Sequence, residues 1–72
     1  MRINIGDSIR WVSAAGVLTG TVKSIKLDLN AAGETIPWMI IQDIVGENGR
    51  QRSGVCMPGT DSYFSMMKLE VL

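Results

Sequence analysis

Histidine is absent from this 72-residue chain, and cysteine appears once, as Cys56. Without histidine, Ser/His and Cys/His nucleophile pairs cannot be assembled, and the commonest zinc ligand is missing as well. A lone cysteine excludes an intrachain disulfide, so a reducing cytoplasm is the expected compartment. Net charge is also lacking, because seven Lys and Arg offset seven Asp and Glu. No long-range field draws in polyanions, which argues against general nucleic-acid coating. The longest apolar run, Ile36 to Ile41, is far too short to cross a membrane, and Met1 to Gly6 has no signal-peptide character. A single small soluble domain is the expectation.

What the chain has in quantity is β-branched residues: eight Ile, six Val and four Thr, interrupted by eight glycines at short intervals. No Gly- and Pro-free window long enough for a three-turn helix keeps helical periodicity, so short strands separated by turns are predicted throughout. After a Gly6-Asp7 turn, in which Asp7 is a turn former, Ile9 and Trp11 alternate with Ser8, Arg10 and Val12 and should enter the core. The next strand sets Leu18, Gly20 and Val22 on one face. Beyond Lys23-Ser24 its apolar set moves to Ile25, Leu27 and Leu29, a change of parity that demands an extra residue in the ladder or a bend.

Asn30 to Thr35 is predicted as a loop, followed by a strand from Ile36 to Val45 that is apolar on both faces, with Ile36, Trp38, Ile40 and Ile44 on one and Met39, Ile41 and Val45 on the other. So short a chain has little to cover a second face, which points to a subunit interface. Asn48-Gly49 predicts a type I′ hairpin with Arg50 to Met57 returning and Asp43 facing Arg52. Pro58-Gly59 ends that strand. Thr60 to Ser65 then supplies an N-cap and one helical turn, and Met67, Leu69 and Val71 alternate with Lys68 and Glu70 as a last strand.

Five short strands, the bent second strand, the Asn-Gly hairpin and one helical turn before the last strand together resemble an SH3-like barrel, so the fold class expected is all-β. The opening Gly6-Asp7-Ser8-Ile9-Arg10-Trp11 with the later Gly20-Thr21-Val22 is similar to the signature of Tudor- and KOW-type barrels, especially the hypervirulence-associated Tudor domains of bacteria. The resemblance implies a non-enzymatic binding domain. It carries no ligand with it: the chain has four aromatic residues in all, too few for a cage at one rim, and Glu34 is the one charge in the loop that would need to be basic to touch RNA. A further SH3-like relative in shape, the tetrameric plasmid-type dihydrofolate reductase, bears a Val-Gln-x-Tyr element where this chain reads Val55-Cys56-Met57-Pro58.

The inventory for chemistry is thin, and no catalytic residue, metal ligand or cofactor site is expected. Cys56 reads as a small buried hydrophobe. Trp11 and Trp38 either form an aromatic platform or fill the barrel, and their alternation with Ile9 and Ile40 favours filling. Tyr63 and Phe64 are adjacent on one helical turn, so both cannot point inward, and one is a candidate protein contact. Met39 and Ile41 join them through the second face of their strand. Met39, Met57, Met66 and Met67 belong to a surplus of methionine that supports self-association, although Met66 and Met67 also suit a plug at the barrel's end. The expected partners are therefore a second copy of the chain and a protein or peptide. Lys23, Lys26, Arg50 and Arg52 form an alternative phosphate-binding set for a nucleic-acid partner, or simply a solvated strand face.

Overall fold

The alternation of Ile9 and Trp11 with polar neighbours is realised as the first strand, β1 (Ser8–Ser13), in a computed structural model that describes residues 2–72. A tight turn at Ala14-Ala15 leads into β2 (Gly16–Leu29), and the loop at Asn30 to Glu34 into β3 (Thr35–Gly46). Two-residue β4 (Gln51–Arg52), β5 (Val55–Pro58), helix α1 (Asp61–Met66) and β6 (Glu70–Val71) complete the chain. All pairings are antiparallel in one sheet of order β4-β3-β2-β1-β6, with β5 also on β3. The all-β class and the single helical turn before the last strand agree with the sequence.

The number of strands does not. The predicted return strand Arg50 to Met57 is interrupted at Ser53-Gly54, so six strands stand where five are expected. The cause lies on β3, where Asp43 takes a left-handed backbone conformation, φ 55°. That residue breaks pairing on both of its sides: β4 is held by Ile44 and Val45, β5 by Trp38 to Ile41, and the register is the same before and after the gap. Gly54 fills the gap because a Cβ there would lie 2.9 Å from the Ile41 carbonyl oxygen.

The change of parity in β2 is also present, as a bulge. Val22 pairs with Ile41 and Ser24 with Ile40, leaving Lys23 without a cross-strand partner. A second irregularity sets Asp43 and Ile44 against Gly20. Such two-versus-one steps bend a strand and increase its twist. They also decide which residues of β3 face inward: Met39 and Ile41 on one side of the second bulge, Ile44 on the other. With Ile9, Trp11, Leu18, Val22, Met57, Phe64 and Leu69 these form one apolar core.

At the β3–β4 hairpin only Gly49 has positive φ, the Gly46 carbonyl accepts from Gly49 N–H, and Gly46 N–H donates to the Arg50 carbonyl. That is a three-residue loop rather than the predicted type I′ turn, which would need Asn48 left-handed as well. Asn48 instead uses its side-chain oxygen to accept from Arg50 N–H at 3.0 Å. Ile44 therefore faces Arg52 in the ladder, and Asp43 does not.

Candidate functional site

Where the β2–β3 hairpin, β5 and α1 meet, a cavity of about 650 Å³ opens to the surface, its apolar wall made by Ile36, Trp38, Pro58, Tyr63 and Met66. Each element presents its residue for a local reason. Alternation on β3 sends Met39 into the core and so leaves Ile36 and Trp38 on the opposite face, half-buried. Pro58 stands opposite Trp38 at the end of β5, where its missing N–H and fixed φ stop the strand, and Gly59 follows with its N–H on the Pro37 carbonyl at 2.7 Å. Thr60 caps α1 through its hydroxyl, which accepts from Tyr63 N–H. The short helix turns Phe64 inward and leaves Tyr63 half-buried and Met66 68% exposed.

The far rim is the β2–β3 loop, and one side chain organises it. Asn30 Oδ1 accepts from Ala32 N–H at 3.0 Å and Glu34 N–H at 2.9 Å, while Asn30 N–H donates to the Glu34 carbonyl at 2.8 Å. Gly33 supplies the left-handed turn position at φ 79°. Among the described residues, Glu34 is the only charged one lining the groove.

Trp38 holds the unusual group of this site. Its indole Nε1 is buried and has no acceptor, alone among the buried side-chain nitrogens and oxygens of the described residues. A buried donor without a partner costs about 1–3 kcal/mol, so nearly all such groups in folded proteins are paired. The ring lines a groove whose other walls combine the apolar Ile36, Pro58 and Met66 with the polar side chains of Asn30, Glu34, Thr60 and Ser62.

The structure sorts the residues expected from sequence. Trp38 and Tyr63 come together at the groove. Trp11, Met39, Ile41 and Phe64 lie in the core, 6% exposed or less, because alternation on β1 and β3 directs the first three inward and α1 turns Phe64 toward them. Cys56 is exposed rather than buried, being on the outer face of β5 opposite Ile40. Val71 is 42% exposed, since β6 extends only from Glu70 to Val71 at the edge of the sheet. Ile36 and Pro58 line the groove without being site candidates from sequence, and Met66, expected at a self-association surface or as a plug at the barrel's end, lines it as well. The signal for them was the even-numbered face of β3, whose companions on β5 and α1 only tertiary structure reveals.

The phosphate set is not assembled. Lys23 is bound to Asp43 at 3.0 Å. Lys26 stands opposite Trp38 and Arg52 opposite Ile44, six positions apart along β3 or roughly 20 Å of strand. Arg50 and Arg52 border a shallow depression with Leu18, Ile44 and Val55. Among the described residues no group of three His, Cys, Asp or Glu side chains is placed to hold a metal ion, and no helix is long and apolar enough to cross a membrane. No protein-family model, curated protein or solved structure matches this chain.

Proposed function

We propose that this protein is a small non-enzymatic interaction module that receives an extended apolar segment of a partner protein in the groove between Trp38 and α1. The observation that carries this reading is the buried, unpartnered indole N–H of Trp38, whose ring lines a largely apolar groove. An extended peptide supplies what is missing there, a backbone carbonyl as acceptor and apolar side chains for Ile36, Pro58, Tyr63 and Met66. Glu34 at the rim favours a segment with a basic residue. The same charge disfavours a polyanion, so nucleic acid is not the occupant proposed.

The fold reading that accompanies this is an SH3-like barrel of the Tudor and KOW kind, similar to the hypervirulence-associated Tudor domains. Its support is the Gly6-Asp7 turn, Ile9 and Trp11 in the core of β1, and β6 returning beside β1 after one helical turn. A bacterial, cytoplasmic setting belongs to the same reading, and an exposed free thiol at Cys56 suits a reducing compartment. So does self-association, supported by the large apolar side chains left exposed, Leu27 at 70% and Leu29 at 61% among them.

Selection from a displayed peptide library tests the groove. The reading expects apolar sequences with a basic residue, and binding of the selected peptides should fall at least about tenfold in Trp38→Phe, which keeps a ring and loses the donor, and in Met66→Asp. A library that yields no binder, or binders indifferent to both substitutions, contradicts it.

A further inference from the structure

The second half of β2 has a bare edge. β1 pairs with β2 only from Gly16 to Thr21, and the Gly6 N–H and Asp7 carbonyl extend that side to Val22. From Lys23 to Leu29 no strand or loop among the described residues pairs with the side of β2 turned away from β3. Pro37 identifies the backbone groups that face outward. It has no N–H, and its carbonyl accepts from Gly59, so its backbone is directed at β5. Leu27, opposite Pro37, therefore makes no ladder bond with β3 and points its own N–H and C=O to the open side. By alternation Ile25 and Leu29 do the same. The Leu29 N–H is occupied only locally, by its neighbour's Asp28 Oδ1 at 2.7 Å.

Those three residues carry their side chains on one face, 36%, 70% and 61% exposed, with Lys26 and Asp28 on the other. Proteins commonly guard a bare edge with a lysine, a proline or a bulge. Here the guard is incomplete. Lys26 is followed two residues later by Asp28, and neither makes an ion pair within the described chain.

We propose that this edge is a self-pairing site, on which a second copy of the chain adds its own β2 antiparallel about a two-fold axis through Leu27. The charges argue for the occupant and for the register. With the axis at Leu27, Lys26 lies opposite Asp28 of the second copy and Asp28 opposite its Lys26, so both charges are matched twice. Leu27 meets Leu27, and Ile25 meets Leu29. The outward-facing residues Ile25, Leu27 and Leu29 fall at hydrogen-bonded positions, and the charged pairs fall at the intervening close positions where cross-strand side chains are nearest. An axis at Ile25 would set Lys26 against Ser24 and run Asp28 into the part of β2 already held by Gly6 and Asp7. An axis at Leu29 would set Asp28 against Asn30 at the loop. Only the Leu27 register is complementary in charge, and a two-fold contact of this kind closes on itself.

The proposal rests on the self-association part of the functional reading and is independent of the groove. Analytical ultracentrifugation of the full chain over a concentration series tests it, with Lys26→Asp and Asp28→Lys as variants at exposed positions and thermal unfolding as the check on folding. The wild type should dimerise. Each single variant places like charges opposite one another and should dimerise at least about tenfold more weakly. An equimolar mixture of the two should recover dimer, because one edge is then wholly acidic and the other wholly basic, and Trp38→Phe should leave dimerisation unchanged. A wild type that stays at 7.8 kDa at every concentration overturns self-association altogether. A dimer that neither single variant weakens, or that the mixture does not restore, overturns this edge as its site while leaving self-association standing.

Discussion

Lys23 and Asp43 sit in the two bulges that bend the long hairpin, and they are bound to each other, Nζ to Oδ2 at 3.0 Å. The pair ties together the points where β2 and β3 depart from regular pairing. Both side chains are substantially exposed, so the ion pair itself contributes at most about 1 kcal/mol. The backbone of Asp43 is the stronger constraint. At φ 55° it occupies a region that Gly, Asn and Asp enter far more readily than branched residues.

Substitution at Asp43 separates the two effects. Asp43→Gly loses the ion pair and relieves the backbone, so stability should change by less than about 1 kcal/mol. Asp43→Val loses the pair and forces a β-branched residue into the same conformation. It should cost about 2 kcal/mol, a fall of roughly 10 °C in Tm for a chain of this size, read by thermal unfolding.

Gly20 lies opposite the second bulge, and the position has no room for a side chain. A Cβ there would stand 2.7 Å from Ile41 Cγ2 and 3.1 Å from Ile44 Cγ1, both in the core. Gly20→Ala should therefore destabilise the fold by about 1–3 kcal/mol through overpacking, measurable by urea denaturation. An unchanged midpoint would mean that the two isoleucines have slack that their packing does not suggest.

Asn30 links stability to the groove. Asn30→Ala removes the acceptor for Ala32 and Glu34 N–H, and since both amides are near solvent the loss in stability should be about 1 kcal/mol or less. The more sensitive reading is hydrogen exchange, which should quicken at Ala32 and Glu34 and stay as it was in β1. A peptide seated in the groove should bind this variant more weakly because the rim that carries Glu34 is no longer fixed.

The strands were legible because their signal is local. Ile9 and Trp11 alternate with polar residues, and the parity change after Val22 marks the bulge at Lys23. The inward face of β3 was not legible, because both of its faces are apolar and period-2 alternation says nothing about which one is covered. The bulge at Asp43 settles that, and its sign in the sequence is faint: one aspartate that tolerates left-handed backbone. The same residue splits the return strand at Ser53-Gly54, a turn-marking dipeptide that the expected unbroken strand from Arg50 to Met57 ran through. The groove was half legible. Trp38 and Tyr63 were candidates by residue type, whereas Ile36, Pro58 and Met66 join them only when β5 and α1 are folded against the hairpin.

The Trp38 indole N–H gives the most direct test of the proposed function. In a ¹H–¹⁵N spectrum of the labelled protein the two indole resonances are distinguished by Trp38→Phe. On titration with a selected apolar, basic peptide, the account predicts a downfield shift of the Trp38 resonance as it gains an acceptor, while that of buried Trp11 stays in place. Saturating peptide with the Trp38 signal unmoved would contradict it.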